Sequence, residues 1–548
     1  MRKALFVLSL LILSAIIFTA CTNNETNGEV SDDYLSETNY IAEATQPETA
    51  AEPATEPLTV PQTEPPIYVP APVNWLNAPS LAEAFAPHFL FGNIYSTPQR
   101  MDEGNTRDAF LHHFNAVTAE NSHKPDAFNN RGQTRPARYN FLHADPIVQW
   151  AVDNELTLIG HALVWHSQSP MWLKYDVPND VPLTRAEARD NMEFHIRTMS
   201  EHWAAQGMLG AFYAWDVVNE AILSGGGVWS GDWRLQLRDS PWLRAYANGY
   251  DPEAGEHPSD YIYDAFVFAR RYFPYSVLYY NDYNEEIPAK RNAIAQMVEQ
   301  INERWAHDFE NNYEAVPYGE VYAGRLLIEG IGLQSHFHLD QWRTNLANVR
   351  ASLERFAETG VRLSVTELDI TIGGQGGNHP ATLSYPLSPE DAARQAEAFA
   401  RVFGYYMEFV NYIERVSVWG KADHQSWRHW GHPLLFDRDM QTKPNFFAVL
   451  DAATSVSAPY VAVPVINEES LHSHWVGAAY SARITAHRNN WAPLRFHVTE
   501  GELPPGLILF AATGVINGTP TEAGSFTFTI TASNAGGSYS REFSILIG

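Results

Sequence analysis

Between about Asn74 and Ala458, short apolar and β-branched runs alternate with longer stretches whose apolar residues return every three or four positions, as strands and amphipathic helices do. Eight runs read as strands: Phe89 to Tyr95, Ala116 to Glu120, Leu156 to Trp165, Phe212 to Asn219, Ser276 to Asp282, Ile331 to His336, Arg362 to Leu368 and Val416 to Lys421. Helical periodicity follows them, as in Arg185 to Trp203, Tyr261 to Tyr272, Arg291 to Trp305, Leu346 to Thr359 and Pro389 to Val410. Eight such units in roughly 375 residues predict an α/β fold, a closed (β/α)8 TIM barrel over 74–458. Asn302 to Gly324 is longer and more polar than a connection requires and reads as an insertion.

The pattern changes on both sides of this region. After Ala458, Val, Thr, Ile and Phe alternate with polar residues between turns such as Pro504-Pro505-Gly506 and Asn517-Gly518, which predicts a small antiparallel all-β sandwich over 459–548. These turns resemble those of the immunoglobulin-like modules found beside bacterial catalytic domains; a spacer or stabilising part is expected ahead of sugar binding. Residues 21–73 are rich in Glu, Thr, Pro and Ala, and Thr22 to Pro72 contains no Lys or Arg. That composition predicts an extended, self-repelling tether, because it has too little apolar surface to offset the entropy of ordering. At the start, Arg2 and Lys3, the apolar run Leu5 to Phe18, and Thr19-Ala20-Cys21 resemble a bacterial lipoprotein signal peptide over 1–20. The resemblance implies lipid attachment at Cys21 and a place outside the cytoplasm, at the cell surface. The apolar run is too short for a spanning helix.

Composition narrows the partners. A formal net charge of −28 argues against nucleic acid, which needs basic side chains to neutralise phosphates. Cys21 is the single cysteine, so no intrachain disulfide can form. Sixteen Trp residues offer flat faces that suit sugar rings as well as cores.

Candidate chemistry gathers at the expected strand ends, where barrels of this kind carry their sites. Trp215-Asp216-Val217-Val218-Asn219-Glu220 and Leu363-Ser364-Val365-Thr366-Glu367 each deliver one carboxyl to the rim. Either Glu alone is more often a solvated strand end. Two on separate strands, with an amide beside one of them, are the equipment for hydrolysing a glycosidic bond.

The motifs around them are specific. His161-Ala162-Leu163-Val164-Trp165-His166-Ser167-Gln168-Ser169-Pro170-Met171-Trp172, Trp215 to Ala221, Gly332-Leu333-Gln334-Ser335-His336 and Thr366-Glu367-Leu368-Asp369 resemble those of family-ten glycoside hydrolases, the retaining endo-β-1,4-xylanases. The likeness runs from about Phe91 to Leu450. It implies Glu220 as acid/base, Glu367 as nucleophile, Asn219 as a donor to the sugar 2-hydroxyl and His336 as the group that holds Glu367 charged. It further implies that Glu120, Asn121, Lys124, His161, Trp165, Gln168 and Gln334 bind substrate, that Trp419 and Trp427 wall the cleft, and that no cofactor takes part. Xylan or xylo-oligosaccharide is the expected partner.

Two rival readings share these residues: an endo-glucanase or mixed-linkage glucanase on the same barrel, and a catalytically silent surface glycan-binding protein. A metal site at His161 with His166, or His336 with His338, is not expected, since strand alternation puts positions five apart on opposite faces and no further Cys is available. Gly373-Gly374-Gln375-Gly376-Gly377 has neither the strand-to-helix context nor the Lys of a phosphate cradle.

Overall fold

Eight parallel strands close on themselves: β1 (Leu90–Tyr95), β2 (Ala116–Ala119), β3 (Thr157–Trp165), β4 (Phe212–Asn219), β5 (Val277–Asp282), β6 (Gly330–Leu333), β7 (Arg362–Thr371) and β8 (Ile413–Val418). Each pairs with the next, and β8 pairs with both β7 and β1, so no sheet edge is left open. The computed structural model describes residues 70–548 except 104, 129–133, 137, 226, 313–323, 340–344, 374–384, 456 and 458. Cys21, the leader, nearly all of the tether and Gly374 to Gly377 therefore lie outside the described residues.

The strands are nearly continuous apolar runs because both faces are covered: all nine residues of β3 are buried, as are all six of β5. Helices wrap the outside, among them Arg185–Ala205, Asp260–Tyr272 and Pro389–Glu408. The first of these starts on a reciprocal cap in which the Thr184 side chain accepts from the Glu187 backbone and the Glu187 carboxylate accepts from the Thr184 backbone.

Two sequence expectations need correction. The expected insertion begins inside a helix, Pro288–Asn312, because Ile294, Val298, Ile301 and Trp305 keep an apolar stripe buried past Asn302; residues 313–323 lie outside the described set. The sixth strand ends at Leu333 rather than at His336. Ser335 has φ +57°, which breaks the extended run, and His336–His338 then forms a separate short strand against the end of β7, in register at Asp369 and His336.

The C-terminal residues form antiparallel sheets. Arg495–Gly501, Gly524–Asn534 and Gly537–Ile547 make one, and Tyr480–Arg483, Val515–Gly518 and Leu507–Leu509 another. They pack around Phe496, Ile516, Phe528, Ile530, Phe543 and Ile545. This module docks on the base of the barrel, where the strands begin. Phe510 and Val515 join the barrel's own core, Thr513 Oγ1 donates to the Gly210 carbonyl at 2.7 Å, and Trp491 Nε1 donates to the Asn411 carbonyl at 2.8 Å. Arg488 reaches the base layer, where the buried Glu414 carboxylate also accepts from Tyr213, from Tyr279 (2.6 Å) and from Arg362 (3.1 Å); the Arg488 contact is 3.3 Å. The module thus occupies the base, and the opposite rim is left for chemistry.

Candidate active site

The rim residues are delivered by register. Asn219, the last residue of β4, lies level with Trp165 of β3 and Asn281 of β5. Glu220 follows with φ +58°, a left-handed turn held by its N–H donating to the Asn281 carbonyl at 2.9 Å and by Arg238 Nε donating to its own carbonyl at 3.1 Å. Non-glycine residues rarely adopt this conformation, and here it turns the carboxyl off the strand toward the mouth.

A connected set of amides joins the two carboxyls. Gln334 Nε2 donates to Glu220 Oε1 at 3.0 Å and to Asn219 Oδ1 at 3.2 Å, and Asn219 Nδ2 donates to Glu220 Oε1 at 3.2 Å. Asn281 Nδ2 donates to Asn219 Oδ1 at 3.0 Å and to Glu367 Oε1 at 2.8 Å. The orientation of Asn281 is set from behind by Thr366 Oγ1, which donates to its Oδ1 at 2.7 Å. Gly332 makes room for it: a Cβ there would stand 2.4 Å from Asn281 Oδ1.

Glu367 and His336 are electrostatically coupled. His336 Nε2 stands 3.3 Å from Glu367 Oε2, and its Nδ1 stands 3.0 Å from Asp369 Oδ2. Burial alone would push the imidazole down, but the Asp369 and Glu367 carboxylates outweigh it and raise His336 to about 9. Burial likewise acts to raise Glu367, and the His336 hydrogen bond together with nearby positive charge outweighs it, holding the carboxyl below its ordinary value. Near neutral pH the site therefore holds an imidazolium between two carboxylates. Asp369 is itself anchored by Arg428 Nη1 at 2.5 Å and by the Trp427 indole N–H at 3.1 Å.

A second cluster lies along the same rim. Lys124 Nζ donates to Gln168 Oε1 at 2.7 Å and to Asn121 Oδ1 at 3.0 Å, and sits 5.0 Å over the Trp165 ring. Burial pulls the Lys124 ammonium down, while Glu367, Glu120, Asp126 and Glu220 pull it up. His161 pairs with Asp216 at 2.9 Å, and its ring meets the Trp419 ring edge-on at 5.4 Å. Glu120 is half-buried at the end of β2, and its carboxylate acts to raise both the Lys124 and the Lys421 ammonium groups. Trp419 is buried, whereas Trp427 is 45% exposed and presents an open face. Thus Asn219, Glu220, Gln334, His336 and Glu367 form one bonded set, which Trp427 joins through Asp369. Asn121, Lys124, Trp165 and Gln168 form the other set, with His161 on Trp419 nearby.

Four residues escaped the sequence reading. Asn281 bridges both carboxyl sets, and its one signal was its place at the end of the fifth strand. Asp369 lies two residues past Glu367, so strand alternation turns it to the same side. Arg428 left no signal. His166 Nε2 comes within 4.0 Å of Glu220 Oε2, and burial drives its imidazole down to about 3, so it is neutral there. His161 and His166 face different partners, Asp216 and Glu220.

A closed parallel barrel with two carboxyls, bridging amides and aromatic walls on its C-terminal rim is a glycoside-hydrolase scaffold. Residues 80–452 match the sequence profile of glycosyl hydrolase family 10, and residues 463–548 match the family described as "Putative Ig domain". The chain belongs to glycosyl hydrolase family 10. It is 31% identical over 389 residues to an endo-1,4-beta-xylanase of Geobacillus stearothermophilus, a match covering 68% of this chain and 98% of that one. It is 30% identical to endo-1,4-beta-xylanase A of Thermoanaerobacterium saccharolyticum, of which the match covers only 28% against 69% of this chain. Among solved structures, a bacterial Ig-like domain containing GH10 xylanase from termite gut aligns with a TM-score of 0.56 at 31% identity, covering 71% of this chain and 80% of that one.

Proposed function

We propose that this protein is an endo-1,4-β-xylanase that cuts internal bonds of xylan by double displacement, with no cofactor. The observation that carries this reading is the Glu367 carboxylate, held charged by His336 and oriented by Asn281, and linked to Glu220 through Asn219 and Gln334. Family membership and the xylanase relatives support the same substrate class.

In this reading, Glu367 attacks the anomeric carbon while the bond to the departing 4-oxygen breaks and Glu220 gives that oxygen its proton. A glycosyl ester on Glu367 results. Neutralising Glu367 removes a nearby negative charge, so the Glu220 carboxylate becomes the base for water. Water transfers its proton to Glu220, its oxygen bonds to the anomeric carbon and Glu367 is released. Two displacements retain the configuration. Asn219 donates to the 2-hydroxyl of the reacting sugar, where hydrogen bonds tighten in the transition state. Glu120, Asn121, Lys124, His161, Trp165 and Gln168 hold sugars on the non-reducing side, and Trp419 and Trp427 wall the scissile bond.

The lipoprotein-like leader and the acidic tether support a cell-surface enzyme anchored through lipid on Cys21, with the tether holding the barrel clear of the membrane. Reducing-sugar release from xylan compared with carboxymethylcellulose tests the substrate, and the anomer released first, read by proton NMR, tests retention. Greater release from cellulose moves the assignment to a glucanase. Binding to xylan with no release, unchanged in Glu220→Ala, makes the protein a glycan binder. Loss of membrane association in Cys21→Ser tests the anchor.

A further inference from the structure

A buried carboxyl stands behind the site without taking part in the chemistry above. Glu285 lies in the loop after β5 and is 2% exposed. Its Oε1 accepts two hydrogen bonds from one residue, Ser335: from the backbone N–H at 3.0 Å and from Oγ at 2.9 Å. The Glu285 backbone is pinned in turn, since Ser352 Oγ of the helix Leu346–Ala357 donates to its carbonyl at 2.8 Å.

Ser335 matters because of its neighbours and its conformation. Gln334 on one side bonds Glu220 and Asn219, and His336 on the other meets Glu367 and Asp369. Between them Ser335 sits at φ +57°, a state that disfavours an L-residue with a side chain and persists only where surrounding bonds impose it. This turn ends β6 and sends the chain into the short strand His336–His338. Gln334 and His336 are two positions apart, so an unbroken strand would turn both side chains to one face; the turn gives them separate aims, Gln334 at Glu220 and His336 at Glu367.

We propose that Glu285 is a positioning residue for the hydrolytic site: by accepting both Ser335 donors it holds the turn that aims Gln334 at Glu220 and His336 at Glu367. The proposal rests on the xylanase reading for its assay. The groups around Glu285 are Glu286, Lys290, Ser335 and Tyr406. The Lys290 ammonium is 2.7 Å from Asp282. Burial and then Glu286 push the Glu285 carboxyl up, and a neutral acid still offers its carbonyl oxygen to both Ser335 bonds. The acceptor, rather than a negative charge, is therefore what the turn needs.

The test uses the full chain with three variants on xylan and on an aryl xylobioside. Glu285→Ala removes the acceptor, leaves two buried donors unpaired and is expected to lower kcat about 10-fold or more, with KM within about 2-fold, since the unpaired donors loosen the turn that aims Gln334 and His336. The acid limb of its pH profile is expected to move upward as His336 leaves Glu367. Glu285→Gln, which keeps an acceptor oxygen, restores most of that loss. Adding Ser335→Gly to Glu285→Ala recovers part of kcat, because glycine takes positive φ without the Cβ penalty. Ser335→Ala, which keeps the backbone bond alone, shows the same kcat-against-KM pattern at smaller size and serves if Glu285→Ala fails to fold.

A lower melting temperature with unchanged kcat and pH profile in Glu285→Ala would overturn the proposal and leave the xylanase reading intact. Glu285→Gln as impaired as Glu285→Ala would overturn the acceptor argument. Wild-type protein that releases nothing from xylan would remove both.

Discussion

Replacing His336 with Gln tests the electrostatics of the site most directly. His336 moves from 6.5 to about 9 in the folded protein, and that difference corresponds to about 3 kcal/mol between its two protonation states. Because the folded value lies above the unfolded one, this stabilisation is fully present below pH 6.5 and is lost as pH rises through 9. Wild-type protein is therefore expected to lose up to about 3 kcal/mol of unfolding free energy between pH 6 and pH 9.5 from this group, and His336→Gln to lose none of that part. The same substitution removes the imidazolium from Glu367, so the acid limb of kcat/KM on an aryl xylobioside should move up in pH. Asp369 keeps Arg428 and Trp427 as partners, so the variant should still fold. Urea titrations at both pH values and a pH–rate profile give the two numbers. An unmoved acid limb, or identical pH-dependence of stability in the two proteins, would show that His336 is not the cation that holds Glu367.

Glu367→Ala should abolish turnover on every substrate, whereas Glu220→Ala should keep activity on aryl xylosides with good leaving groups and lose it on xylan; equal loss on both would contradict the roles. Gly332→Ala places a methyl 2.4 Å from Asn281 Oδ1 and 3.0 Å from Thr366 Cγ2, and is expected to cost about 1–3 kcal/mol of stability and to lower kcat, as melting and rate measurements would show. Arg488→Met removes one donor from the buried Glu414 carboxylate while Arg362 remains, with an expected loss of about 1–3 kcal/mol at pH 7; an unchanged denaturation midpoint would mean that the module adds nothing through this contact.

The alternation of apolar runs with helical periodicity was enough to predict the barrel, because strands covered on both faces leave a plain signal in β3 and β5. Short motifs also brought Glu220, Glu367, Asn219, Gln334 and His336 into view, since Asn219, Glu220, Gln334 and His336 stand at or just past strand ends, Glu367 lies two residues beyond the last β6–β7 pair, and the rim follows from the fold. The linear order did not contain the bonds between them. Asn281 meets Glu367 across 86 positions, and Arg428 meets Asp369 across 59, contacts that arise only when the barrel closes. The left-handed turns at Glu220 and Ser335 were equally hidden, because neither residue type favours positive φ and the partners that impose it come from other strands and loops. The docking of the C-terminal module belongs with them. Its alternating pattern announced a sandwich, while the insertion of Phe510 and Val515 into the barrel core and the reach of Arg488 to Glu414 depend on two surfaces meeting in space. Local pattern determines elements and their faces, since it reports what each short segment can bury; register, long-range hydrogen bonds and imposed strain come only from closing the fold.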